Sequence, residues 1–448
     1  MLYEYSREEI HQPSARKTLA GGILLAAFSI LAQYDLPLMS YGLVLALLYS
    51  AFFMLFQRTI CLNKPMLLFI SFAILQQAVM YGVTNTFSIN RNTYLFMFIC
   101  LFLLAVMGQI DKNHFMRVYS AIGLMMGCIV LYQFVKANLF GILQSSIQIL
   151  PVAESEQHFW LKESNRVSGL FTEPQGYCSY VLPLLIMLIF RKRYKSAVFF
   201  SITMIASTSS QGIILMAFVW MYYLVLYERN VAKRMARAII FMTLGLAGLF
   251  ILGCLPASRF IIDKILSINI FGYDIRLTKG FQIYFAMPLL DKITGIGFGN
   301  LREYLLNGGF SFFWMKLTKD TLFAYITTMS NVLVSFGIFG FIFYINVFRE
   351  NLKTARGEAR LMLFVILISS FTQTILFNAW FVFSWIVFEV VDDKRNRNYW
   401  NIRFVFGGRG HGADRNHNDL QRCQLRSCPA GICFENSAGG SGSQGKNY

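Results

Sequence analysis

Charge is what this sequence has least of. Asp, Glu, Lys and Arg make up 14% of its 448 residues, against roughly 25% in an ordinary soluble chain. That scarcity excludes a soluble globular class. Other absences narrow the chemistry. Three cysteines near the end, Cys423, Cys428 and Cys433, stand at C-x4-C-x4-C, which is not a zinc spacing. The remaining five (Cys61, Cys100, Cys128, Cys178, Cys254) fall in or beside apolar runs, where a buried free thiol is the plain reading. No pair argues for a disulfide, and no metal site is expected. No run of like charge is interleaved with stacking aromatics, so nucleic acid is not an expected partner. The first apolar run ends at Leu31-Ala32-Gln33 without small residues at a cleavage spacing, which predicts an uncleaved signal anchor.

What the chain has instead is apolar length. Hydrophobic residues make up 56%, with 44 Phe and 22 Tyr, and mean hydropathy is +0.51. Its apolar runs approach the ~20 residues that cross a hydrocarbon core, and only helices or closed barrels satisfy their backbone there. The predicted class is an all-α integral membrane protein with about twelve transmembrane helices. The spans fall near 18–33, 38–56, 65–83, 93–110, 115–138, 177–190, 196–209, 211–227, 238–255, 327–348, 361–378 and 379–391.

Lys and Arg gather in alternate loops, among them "RKRYK" (191–195), "ERNVAKRMAR" (228–237) and "RENLKTARGEAR" (349–360), whereas the opposing short loops hold essentially Arg91 alone. By the positive-inside rule both termini are cytoplasmic. The net charge of +17 is then mostly a topology signal. Residues 1–17 read as a cytoplasmic N-terminus, 18–391 as the polytopic domain and 392–448, Gly-rich and aperiodic, as a disordered cytoplasmic tail. Two outer loops interrupt the spans, at about 139–176 and 256–326. The second carries eight basic against five acidic residues, which points to an anionic partner. Within it "DIRLTKGFQIYFAMPLL" is amphipathic, and "FSFFWMKLTKDTLFAYI" is aromatic enough for the membrane interface.

Four outer motifs carry the candidate chemistry. In "RVSGLFTEPQG" (166–176), Thr172 and Gln175 have capping-box spacing with Pro174 in the first helical turn. Glu173 then either favours the helix N-terminus or acts chemically. Arg166 is not explained by a cap. Ser168, Thr172, Gln175 and Ser179 continue polarity into the span, as at a bundle interior or water-filled cavity. The second motif is the hydroxyl-rich turn "STSSQG" (207–212). In the third, Arg276 and Lys279 are three apart and share a helix face, either solvated or holding an anion such as a diphosphate between them. The "GIGFGN" that follows follows no strand and lacks a P-loop lysine, so a tight glycine turn is expected rather than a nucleotide loop. The fourth is "SNVLVSFGIFGFIFY" (330–344), whose Gly337 and Gly340 permit close helix packing.

In this order the motifs resemble the O-antigen polymerase and ligase superfamily, polytopic proteins that assemble bacterial surface polysaccharides. The resemblance extends over about residues 90 to 390. It implies a C-type glycosyltransferase-like fold whose outer loops cover a cavity, where undecaprenyl-diphosphate-linked oligosaccharides react without nucleotide, metal or other cofactor. Arg166, Glu173 and Arg276 match the family's functional positions, and Lys279, Ser210, Gln211 and Asn331 fall at substrate-binding ones. Gln211 stands where many members have Arg. Ser330 precedes Asn331 where ligases carry a His-Asn pair, which favours a polymerase. A chain-length regulator and a flippase are the implied protein partners. The alternatives are the ligase itself and, in another class, a flippase or transporter, which should line its spans with charge; these spans are nearly free of it.

Overall fold

The computed structural model describes the chain apart from residues 1–14, 38, 57–58, 85–94, 97, 103–109, 162–165, 229, 255–274, 309, 311, 313–325, 393–398, 405–431 and 436–448. It is mostly helical. In order come α1 (Ala15–Leu31), α2 (Tyr41–Phe56), α3 (Lys64–Thr84), α4 (Lys112–Leu139), α5 (Glu154–Trp160), α6 (Pro174–Phe190), α7 (Tyr194–Ala206) and α8 (Ser210–Met221). A π turn, Tyr222–Leu226, extends α8. Then follow α9 (Val231–Cys254), α10 (Ile275–Ala286), α11 (Leu289–Thr294), α12 (Leu301–Asn307), α13 (Thr328–Thr354), α14 (Gly357–Thr372) and α15 (Ala379–Val391).

Among the described residues three helices, α3, α4 and α13, are long and apolar enough to cross a membrane by length and composition. α1, α2, α6, α7, α8 and α15 contain shorter apolar helices. The expected span near 93–110 and the interfacial stretch 310–326 fall largely outside the described residues.

Apolar residues surround α6 and α15 on every side, and a helix without a polar face must be buried in protein or lipid. Both lie at the centre of the core. Tyr177, Tyr180, Leu184 and Leu188 of α6 and Phe381, Trp385 and Phe388 of α15 are buried. Tyrosine hydroxyls settle their polarity inside this core: Tyr180 donates to the Ala26 carbonyl at 2.9 Å and Tyr177 to Thr203 Oγ1 at 2.6 Å. α3 and α4 are peripheral, and their outward side chains are themselves apolar, as Leu75, Val79, Leu124 and Met125 show. A water-facing helix would carry charge there. Cys100 and Cys178 are buried free thiols as expected, but Cys128 is exposed on α4. Apolar surroundings in sequence do not distinguish a core position from an outward one when both faces are apolar.

The helix ends gather into two groups. In one, Asn63 Nδ2 donates to Asn351 Oδ1 at 2.8 Å and to Glu389 Oε1 at 2.7 Å, joining the start of α3 to the ends of α13 and α15. Glu389 is only 1% exposed, and a buried carboxylate requires such partners. Lys112 beside it pairs with Glu358 and donates to the Val391 carbonyl at 3.1 Å. This group coincides with the ends flanked by Lys- and Arg-rich loops. The other group joins the opposite ends. Thr172 donates to Gln33 at 3.1 Å, and Gln211 to Thr372 at 2.6 Å. Thr328 donates to the Gln373 carbonyl at 2.7 Å.

Beside the helices, the described residues include one short sheet. β1 (Thr59–Asn63) pairs antiparallel with β2 (Tyr399–Phe404), and β2 with β3 (Ile432–Glu435). "YWNIRF" is rich in residues of high strand propensity. It lies in the tail close behind the last helix, where the short α2–α3 connection offers backbone partners. A glycine-rich composition averaged over the whole tail conceals that segment.

Gln148 in the first outer loop and Thr354 at the end of α13 are both exposed. With a membrane-impermeant thiol reagent on intact spheroplasts, Gln148→Cys is expected to label and Thr354→Cys to label only after permeabilisation. The reverse pattern would invert the orientation.

Candidate functional site

The stretch 166–176 is a tethered cover at one rim. Gly169 adopts φ +67°, and its amide donates to Gln133 Oε1 at 2.8 Å while its carbonyl accepts from Ile147 at 3.0 Å. Ser168 and Ser146 share a hydrogen bond of 2.8 Å. Tyr34 stacks on Trp160 and donates to the Ile147 carbonyl at 3.2 Å. Ser168 and Thr172 are therefore engaged in structural bonds, which accounts for part of the polarity expected to face a cavity.

The capping box does not form. The N-cap of α6 is Glu173, not Thr172, with Pro174 opening the helix, and the Glu173 side chain makes no capping bond. Thr172 is committed to Gln33 instead. Glu173 is consequently an exposed carboxylate at a helix N-terminus. Arg166 is half-buried and within electrostatic reach of Cys178 on the second turn of α6.

The hydroxyl-rich turn lies against that same turn of α6. Cys178 Sγ is 3.1 Å from Ser207 Oγ, and a Cβ at Gly212 would collide with Cys178. Ser209 caps α8 by accepting from the Gly212 amide at 3.3 Å. Thr208 has φ +58°, a strained conformation for a β-branched residue, and its buried hydroxyl has no hydrogen-bond partner among the described residues. Ser210 and Gln211 open α8, both half-buried, with Gln211 turned to Thr372 at the end of α14.

Arg276 and Lys279 lie on α10 as the spacing predicts. The Arg276 side chain is outside the described residues. Lys279 is 2% exposed, so the solvated basic face does not hold for it. The next residue explains why. A Cβ at Gly280 would collide with Ser330, so α10 lies directly against the first turn of α13. Asn331 in that turn accepts from Ser335 Oγ at 2.7 Å.

The third and fourth motifs are two halves of one joint. α13 is broken at Gly337, where φ is +64° and ψ −169°. Into the break fits "GIGFGN", with Gly295, Gly297 and Gly299 all at positive φ. The Ile296 amide donates to the Val334 carbonyl at 3.0 Å and the Gly297 amide to Ser335 at 2.9 Å. A Cβ at Gly295 would strike the Ser335 carbonyl, and one at Gly337 the Ile293 carbonyl. The expected tight glycine turn is present, but Gly337 serves a backbone crossing instead of helix packing. Gly340 does face another helix, with Phe72 of α3 3.2 Å from its virtual Cβ. Below the joint, Phe298 stacks on Phe336 and meets Phe377 edge-on. Tyr304 of α12 donates to Asp291 of α11 at 2.6 Å. Burial, and then Asp291, raise its phenol above the ordinary value, so it remains a neutral donor.

Sequence reading missed the residues that fasten this joint. Gln76 Nε2 donates to both Thr294 and Ser335 carbonyls at 3.0 Å, and Gln77 Nε2 to Phe298 at 3.0 Å. The available signal was two adjacent amides inside an otherwise apolar span. Linked through these contacts, the stretch 166–176, the hydroxyl turn, the end of α14, the start of α13 and α10 form one continuous rim. Glu173, Ser210, Gln211, Asn331 and Lys279 belong to it; Arg276 does so through its helix position. No protein-family model matches the chain, and no curated protein is matched by it.

Glu173→Ala is expected to change stability by less than ~0.5 kcal/mol, whereas removing a true cap costs about 1 kcal/mol. Thermal unfolding in detergent checks this. By the same measurement Gly337→Ala should be destabilising by about 1–3 kcal/mol from backbone strain alone. Gly82 on α3 has nothing within 4 Å of its virtual Cβ, so Gly82→Ala should not lower the midpoint.

Proposed function

We infer that this protein is a polysaccharide polymerase of the outer face of a bacterial cytoplasmic membrane, built on about twelve spans with both termini inside. Its substrates are undecaprenyl-diphosphate-linked oligosaccharides. The observation that carries the reading is the burial of Lys279 beside the α13 N-terminal turn, on the helix that also carries Arg276. Lysine is seldom buried to that degree. Two cations one turn apart suit a diphosphate. The strained Thr208 turn supports it further, since such backbone is kept where geometry matters to function.

In the reaction, an acceptor hydroxyl of the incoming lipid-linked unit attacks the anomeric carbon of the growing glycan. The bond from that carbon to the diphosphate oxygen breaks, and the diphosphate leaves with the electron pair. Arg276, with Lys279 or Arg166, stabilises the charge that develops on it. Glu173, exposed and free of capping duty, accepts the hydroxyl proton. Ser210, Gln211 and Asn331 contribute polar contacts to the sugars. The glycan's lipid carrier approaches through the bilayer, and a flippase and a chain-length regulator act before and beside this step.

The test is polymer formation from purified lipid-linked repeat units, with the protein in nanodiscs. Arg276→Ala should slow it on the order of 100-fold. Arg276→Lys should recover part, because the charge is kept and the planar fork lost. Transfer only to an added lipid A core would make the protein a ligase instead. Lipid translocation without any new glycosidic bond would make it a flippase. Unchanged turnover in Arg276→Ala would remove the diphosphate contact from the mechanism.

A further inference from the structure

Away from that rim, at the end of the bundle bearing "RKRYK", a cleft of about 400 Å³ opens between α4, α6 and α7. This lies within the ~300–1,000 Å³ of small-molecule sites. Its inner wall is apolar, made of Leu124, Leu188, Phe199 and Phe200, and its mouth carries Arg193 and Lys195 with Ser120 and Ser196. No acidic side chain lines it. The sequence builds this shape locally. Only Arg191, Lys192 and Arg193 separate α6 from α7, and Lys192 makes the turn at φ +58°. On α4 the absence of a Cβ at Gly127 lets the Phe199 ring approach, its nearest atom 2.7 Å from where that Cβ would sit. Ser120 Oγ is buried at this site with no hydrogen-bond partner among the described residues.

We propose that the cleft binds one anionic phospholipid of the cytoplasmic leaflet, its phosphate on Arg193 and Lys195 and one acyl chain along Leu124 and Phe199. Charge selects the headgroup: a cationic mouth without a carboxylate attracts the anionic lipids of the inner surface. The apolar wall selects a lipid over a free phosphate. Val198 and Ile202, three and seven positions after Lys195 on α7, are exposed and apolar, so the helix face below the cationic mouth offers a chain apolar surface. Ser120 supplies a donor for a headgroup or ester oxygen. The site rests on the membrane reading and is independent of the polymerase reaction.

Native mass spectrometry of the full-length protein, released from mixed phosphatidylglycerol and phosphatidylcholine nanodiscs, tests it without any activity assay. The protein should retain phosphatidylglycerol in preference. The Arg193→Ala, Lys195→Ala double variant should lose roughly 25-fold in retention, about fivefold for each basic residue. A control double variant on the exposed start of α9, Lys233→Ala with Arg234→Ala, should retain it fully. Leu124→Trp, which fills the groove and leaves both cations, should also release the lipid. Equal retention of the two lipids would overturn the proposal. So would an equal loss in the α9 control, displacement by added inorganic phosphate, or full retention in Leu124→Trp. Failure of the chain to partition into membranes would strike the membrane reading itself, and a failed polymer assay would leave this result untouched.

Discussion

The candidate site depends on a backbone-to-backbone crossing. At Gly337 the helix α13 gives up its regular geometry, and the carbonyls of Val334 and Ser335 lose their intrahelical use. Carbonyls buried without donors are costly, and amides from Ile296 and Gly297 answer them. Any side chain larger than hydrogen at Gly295 or Gly337 would meet main-chain atoms that cannot swing aside. Residues 293–297 and α13 are therefore held as one piece, with Gln76 bridging both sides of the joint. The position of α10, and of Lys279 upon it, follows from that fastening.

The two rims are held by different chemistry. The rim bearing the candidate site is tied by single hydroxyl and amide contacts between loops and helix ends, such as Gln211 to Thr372 and Thr172 to Gln33. The opposite rim is tied by charge and by a buried Asn–Asn–Glu cluster. Between them lie α6 and α15, largely apolar and buried. The buried carboxylate of Glu389 lies at one end, and the core between holds neutral tyrosine hydroxyls with their partners.

Much of this was legible in the sequence, and what was not has identifiable causes. The helices at Tyr41–Phe56, Lys112–Leu139 and Ala379–Val391 follow from apolar length alone, because composition is a property of the segment itself. The turn between α7 and α8 was equally plain from its hydroxyls and its Gly212. Thr172 was misread as a cap, because a local pattern cannot know that Gln33, more than a hundred residues away, will claim its hydroxyl. Gly337 was read as a packing glycine for the same reason: its partner, Gly295, lies outside the span. Gln76 and Gln77 were visible as polar residues in an apolar run, but their targets were not. The exposed Cys128 marks the same limit, since lipid-facing and core-facing positions share one composition.

The Asn63 cluster has a consequence for how the chain is made. Asn63 lies 326 residues before the carboxylate it binds. At about 5–20 residues per second, synthesis needs some tens of seconds to bring Glu389 out of the ribosome. Throughout that interval the Asn63 amide at the start of α3 is without its carboxylate, and β1 must wait longer still for β2. The early helices are therefore made before their final neighbours exist. The last helix, α15, acts as a bolt drawn across the finished bundle, and a chain that stops short of it would leave that rim unfastened.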